Sequence, residues 1–188
     1  MSSHISAYTK ERTRKFDAYS IATLGGASEN RTGGRGCLMS EPVSATIPFP
    51  VDIPFLNEIG VQLISVGDGQ AQVAVDLQGR HMNSWAVAHG GLTMTLLDVA
   101  MSLAGRSVFP QAQGAVTVEM STSFVQPGGK PGSRLIATGK AFHRSISLCF
   151  CEGEVRNGDK LVAKAMGTFK YLSRLPADKT ALRGQVGD

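Results

Sequence analysis

Asn83-Ser84-Trp85-Ala86-Val87-Ala88-His89-Gly90-Gly91-Leu92-Thr93-Met94-Thr95-Leu96-Leu97-Asp98 is the stretch on which the reading of this chain turns. Gly90-Gly91 opens a helix whose N-terminus carries no side chains, and a single acid follows two turns later. Apart from Asp98, the residues from Leu92 to Leu103 are apolar or small on every face, so the helix is expected to be buried all round. A carboxylate in such a helix is costly to desolvate unless something requires it. The helix should run from about Gly90 to Ser107, and Pro110 ends any continuation.

Strand patterns flank this helix on both sides. Glu58 to Val66 reads as a strand, and Gly67-Asp68-Gly69 as a hairpin turn. Gln70 to Leu77 alternates, with Ala71, Val73, Val75 and Leu77 on one face and Gln70, Gln72, Ala74 and Asp76 on the other. Beyond the helix, Ala115 to Val125 is expected to place Val116, Val118, Met120 and Phe124 on one side. Ser133 to His143 and Ile146 to Arg156 follow, joined near Arg144-Ser145. Asn157-Gly158-Asp159 is a second hairpin signal, and Lys160 to Leu172 closes the set. Six strands and one long apolar helix have one economical arrangement: an antiparallel sheet curled around the helix. The expected class is α+β, in the hot-dog architecture.

At 188 residues and 42% hydrophobic content the chain can bury one real core. The expected division is a disordered extension over residues 1–45, a hot-dog domain over 46–175 and a polar tail over 176–188. Met39 precedes a polar lead-in and is a plausible alternative start. Six Lys/Arg against three acids in residues 1–38 give that segment +3 of the net +4, which leaves +1 for the remainder. The basic excess therefore sits in a tail, and nucleic acid is not an expected partner. No apolar run reaches the roughly 18–20 residues of a membrane span, and no signal-like segment opens the chain. Cys37, Cys149 and Cys151 form no disulfide framework, because the last two are side by side on one strand face. The expected location is the cytoplasm.

The helix start and its acid can do chemistry together. A bare N-terminus offers unpaired N–H groups and the positive end of the dipole. Gly90 and Gly91 let a ligand approach the backbone, which suits a carbonyl oxygen gaining negative charge. The competing reading is that the two glycines only permit tight packing. Asp98 can serve as nucleophile or general base, or be a buried acid paired with a group such as Arg106. Eight residues separate Gly90 from Asp98, which is about 12 Å along the axis. If both serve one reaction, the acid must come from a second, antiparallel copy of the helix, so the chemistry implies a two-fold dimer with composite sites. Asn83 can orient an attacking water or bind the carbonyl, or only shape the loop; His89 is expected to donate a hydrogen bond that fixes the loop rather than act as a base, and His81 and His143 stand alone. No His, Cys and Asp cluster has metal-ligand spacing, and no cofactor is expected. Trp85, Phe124, Met94 and Met101 can line an acyl pocket or simply belong to the core. Lys130, Arg134, Lys140 and Arg144 can meet phosphates or face solvent.

Asn83, His89-Gly90-Gly91 and Asp98, followed by Thr122-Ser123-Phe124-Val125-Gln126-Pro127-Gly128-Gly129, together resemble the hot-dog acyl-CoA thioesterases. Among these the chain is similar to the phenylacetate-pathway group, within the superfamily of 4-hydroxybenzoyl-CoA thioesterase. The resemblance spans about 57–173. It implies hydrolysis of an acyl-CoA thioester to a free acid and coenzyme A by a homodimer, itself paired into a tetramer. On that pattern Asp98 activates water or attacks directly, and the partner's Gly90 amide polarises the carbonyl. Asn83 places water or substrate, and His89 supports the loop. Gly91, Trp85, Phe124 and Arg144 become candidate substrate contacts. Trp85-Ala86-Val87 departs from the pattern, because many relatives carry a glycine before the stretch leading to the histidine. Two rival functions share the fold: a non-catalytic acyl-CoA sensor, and a hydratase or dehydratase acting on an acyl thioester.

Overall fold

The computed structural model describes residues 46–172. The expectations for the N-terminal extension, for Cys37 and for the tail from residue 176 lie outside them. Six strands form one antiparallel sheet: β1 (Val61–Gly67), β2 (Gln70–Asp76), β3 (Gly114–Phe124), β4 (Arg134–Arg144), β5 (Leu148–Asn157) and β6 (Lys160–Leu172). Their spatial order is β1-β2-β4-β5-β6-β3, so β1 and β3 are the edges. One long helix, α2 (Gly90–Ser107), lies in the concave face, and a short helix, α1 (Pro54–Glu58), precedes β1. This is the hot-dog architecture.

Local chemistry explains most of these elements. At the β1–β2 turn Asp68 and Gly69 both take positive φ, +49° and +76°, which is the twist a two-residue hairpin needs. On β2, Ala71, Val73 and Val75 are buried against the helix as the alternation requires. Ala74, on the other face, is buried as well. The helix sits so close to β4 that a Cβ at Gly139 would lie 2.4 Å from the Ala100 carbonyl. Only a residue without a side chain permits that crossing, and it fixes how far α2 can sink into the sheet.

Three expectations need correction. The first strand starts at Val61, not Glu58. The residues before it form α1, with Pro54 at the first helical position, where its missing N–H costs nothing. The long helix is not buried all round. Leu92, Leu96, Leu97, Ala100, Met101 and Ala104 face the sheet, whereas Met94 is exposed and Asp98, Val99, Ser102 and Leu103 are half-buried along an open face. The third correction concerns β3. Its register against β6 slips between Thr117 and Glu119, which inserts Val118 as an extra residue. The bulge reverses the parity of the strand. Thr117 pairs with the buried Phe169 and points inward, while Val116 pairs with Lys170 and points outward. Past the bulge Met120 and Phe124 pair with inward-facing residues. Val116 therefore does not share a face with Met120 and Phe124.

Candidate active site

The N-terminus of α2 is built by its own N-cap. His89 holds extended backbone (φ −63°, ψ 136°), and its Nδ1 accepts a hydrogen bond from the Gly91 amide at 2.9 Å. That bond satisfies one of the orphan donors of the first turn and requires Nδ1 to be unprotonated. His89 thus fixes the helix start by accepting a bond. The neighbouring Gly90 amide has no acceptor among the described residues. With the Leu92 amide, it is left open at the positive end of the dipole. The Phe124 ring lies against Gly90, 3.4 Å from where a Cβ would stand.

The loop before the helix is shaped by Asn83. Its Oδ1 accepts from the amides of Trp85 at 2.9 Å and Val87 at 3.3 Å, an Asx-turn that holds Ala86 at φ +56°. The side-chain oxygen is therefore engaged within the loop. Trp85 projects from it and is 84% exposed, so it is not core. Behind the loop, the Ala88 amide donates to Gly129 O at 2.9 Å and the His89 amide to His81 O at 2.8 Å. His81 itself is buried, its Nδ1 accepting from the Gln78 amide at 3.0 Å. Burial, and then the Arg80 guanidinium, push its pKa below the ordinary histidine value. Both favour the neutral ring the hydrogen bond needs.

Asp98 lies half-buried on the open face of α2. Its Oδ1 accepts from the Thr117 hydroxyl at 2.5 Å, which leaves Oδ2 without a hydrogen-bond partner among the described residues. Arg106 is not its partner; that guanidinium donates to Phe109 O and closes the other end of the helix. Thr117 escapes sequence reasoning because only the bulge turns it inward, and strict alternation assigns Val116 and Val118 instead. The missing signal was chemical: an acid in an apolar helix calls for a hydroxyl donor on the facing strand.

Asp98 opens into a groove of about 490 Å³. One wall is helical, with Met94, Val99 and Leu103, and Met120 of β3 completes that side. The opposite wall is Phe49, Ile53, Phe55 and Leu56, residues the sequence reading did not single out. Ile53-Pro54 was the available signal, an extended residue before a proline that starts a helix.

Not all candidates converge. Gly90, Gly91, His89, Asn83 and Phe124 cluster at the helix N-terminus. Asp98 is two turns away, about 12 Å along the axis. Arg144 lies at the opposite end, its guanidinium 4.6 Å over the Phe109 ring. Cys149 and Cys151 are fully buried and free, packed on Gly105 near the helix C-terminus. Their mutual hydrogen bond and their burial push Cys151 well above the usual thiol range. The same bond lowers Cys149 to about 7, but neither sulfur has access to solvent, and this is not the setting of a nucleophile. Among the described residues no three His, Cys, Asp or Glu side chains gather as metal ligands, and no helix is long and apolar enough to cross a membrane.

Residues 86–164 match the model of the thioesterase superfamily, a span that includes the helix N-terminus, Asp98 and Thr117. A conserved protein from Pseudomonas aeruginosa superposes with a TM-score of 0.60 at 32% identity, covering 64% of this chain and 95% of that one. The chain belongs to the thioesterase superfamily. Two other proteins are similar to the chain over much of its length. The PaaI protein from the phenylacetic acid degradation operon of E. coli superposes with a TM-score of 0.59 at 25% identity, over 64% of this chain and 86% of its own. Acyl-coenzyme A thioesterase 13 of Homo sapiens is 27% identical over 110 residues, 57% of this chain and 77% of the relative. The superfamily match starts at Ala86. The groove wall from Phe49 to Leu56 thus lies outside it.

Proposed function

We propose that this thioesterase hydrolyses acyl-CoA thioesters to free acid and coenzyme A, as a two-fold dimer in which each site draws on both copies. The observation that carries the reading is the separation on α2 of an open amide donor, Gly90, from a half-buried carboxylate, Asp98. Each is furnished for one half of an acyl transfer, and one copy of the helix cannot bring both to one carbonyl. Two antiparallel helices can. The edge strand β3 supports such pairing. It leaves Val118 58% exposed and Phe124 53% exposed, with Met166 of β6 beside it at 58%. An unpaired apolar edge of this kind is ordinarily covered. A dimer of dimers, as the family resemblance implies, is part of the same proposal.

In this mechanism Asp98, oriented by Thr117, takes a proton from a water through Oδ2. The water oxygen bonds to the thioester carbonyl carbon, and the charge that develops on the carbonyl oxygen faces the partner's Gly90 amide. The C–S bond then breaks, and the departing thiolate takes up the proton that Asp98 accepted, which restores the carboxylate. Thiolate is a good leaving group, so one carboxylate and one dipole form a sufficient apparatus. Asn83 keeps its Nδ2 donors for the substrate, and His89 holds the amide in place. The human relative's name as an acyl-coenzyme A thioesterase supports the choice of carrier.

The test is Asp98→Asn assayed for thiol release from a panel of acyl-CoAs. Thiol release should fall by at least about 10²-fold while acyl-CoA still binds. Wild-type turnover in that variant would remove Asp98 from the chemistry. Binding without any thiol release by the wild type would instead make the protein a sensor.

A further inference from the structure

We infer that the segment from Phe49 to Leu56 is the specificity wall of this enzyme, and that it selects uncharged, apolar acyl groups longer than acetyl. The inference rests on the thioesterase reading, because it seats the acyl group in the groove beside Asp98. Three observations carry it.

The first is composition. The wall facing the helix is Phe49, Ile53, Phe55 and Leu56, and across the groove stand Val99 and Leu103. Polar liners are few: Thr95, Ser102 and Asp98 itself. Thr95 already donates its hydroxyl to Gly91 O at 3.0 Å. Among the described residues no cation lines the groove. An acyl group bearing its own carboxylate would find no counter-charge there and would meet the like charge of Asp98. A hydrocarbon chain or an aryl ring meets matching surface.

The second is extent. The helical side of the groove runs from Met94 to Leu103, ten residues spanning about 13.5 Å. Asp98 stands near its middle, and an acetyl group at the reacting carbon would leave most of the apolar surface uncovered. Each methylene buried there is worth about fourfold in binding. Two covered methylenes already give more than a tenfold preference.

The third is how the wall is held. Its start is tied to β1 by the Ile47 amide donating to Leu63 O at 2.9 Å, and its end by the buried Leu56. Between these anchors Phe55 is 60% exposed and leans on the groove without being part of the core. A ring that contributes little to folding yet lines a cavity can be exchanged freely, which makes it a natural determinant of what the cavity accepts. The wall lies before the first residue of the superfamily match, so it comes from a different part of the chain than the helix N-terminus and Asp98.

The experiment compares octanoyl-, acetyl- and succinyl-CoA by kcat/KM and by calorimetric binding to the full chain, for the wild type, Phe55→Ala and Phe55→Lys. Octanoyl-CoA should exceed both others by at least about tenfold in the wild type. Phe55→Ala should shrink the octanoyl-to-acetyl ratio at least about threefold. Phe55→Lys supplies the missing counter-charge, and should raise the succinyl-to-octanoyl ratio at least about tenfold, a gain that misfolding cannot mimic. Equal use of the three acyl groups by the wild type, or ratios untouched by both variants, would overturn the inference. Absence of thiol release from every acyl-CoA would sink the thioesterase reading instead. The binding preference would then decide the groove's selectivity by itself.

Discussion

Gly90→Pro removes the amide on which the proposed oxyanion site depends while keeping the helix. Gly90 is the first helical residue, where proline is favoured because its absent N–H has no intrahelical partner. His89 before it is already extended at ψ 136°, the conformation that a following proline demands. The ring must fit beside Phe124, which stands 3.4 Å from the Cβ position but is half-exposed and free to shift. The substitution should therefore leave the fold intact and delete one donor to the developing negative charge. Losing such a donor costs about 2.7–4 kcal/mol of transition-state stabilisation, or about 10²–10³ in kcat. Gly90→Ala keeps the amide and serves as the control for bulk. The assay is steady-state thiol release, with thermal melts for all three proteins. The reasoning fails if the proline variant melts like the wild type and turns over within threefold of it, or if the alanine variant loses as much.

Two further predictions follow from the neighbouring contacts. Thr117→Val, of equal volume, removes a hydroxyl bonded to a charged group, worth about 1.5 kcal/mol at the low end for so accessible a position. The expected fall in kcat is about tenfold, Thr117→Ser should recover most of it, and a valine variant with unchanged kcat would leave the Asp98 contact without a role. His81 has a depressed pKa in the folded state, so the unfolded chain binds the proton first on acidification. Its contribution to stability is whole above pH 6.5, the ordinary histidine value, and is lost as pH falls below it. Urea melts between pH 7 and pH 5 should show that loss, and His81→Gln should flatten it; an unaltered slope would contradict the assignment.

What could be read from the sequence, and what could not, divides along physical lines. The helix from Gly90, the hairpin at Asp68-Gly69 and the alternation of β2 depend on neighbours in sequence, and each stands where its residues direct. The side that β3 presents does not. One inserted residue, Val118, reverses the strand, and nothing in Gly114–Phe124 marks where the extra residue falls. Thr117 was hidden for that reason. The open face of α2 was misread because an apolar surface signals burial without saying against what. The sheet covers one side, and Met94 and Asp98 lie on the open one. Trp85 shows the same ambiguity: a large aromatic suggests core, yet the Asn83 turn sends it into solvent. Asn83, His89, Gly90 and Asp98 could be picked out because glycine, a capping ring and a lone acid each carry a distinct chemical demand.

The composite site is tested most directly by complementation. Asp98→Asn and Gly90→Pro chains, each inactive alone, are unfolded together, refolded as a mixture and assayed for thiol release. If each site takes its acid from one copy and its amide from the other, half of the randomly formed dimers carry one intact site of two, and about a quarter of wild-type activity returns. If a single copy supplied both groups, no mixture would hold an intact site, and activity that stayed at the level of the separate variants would contradict the account.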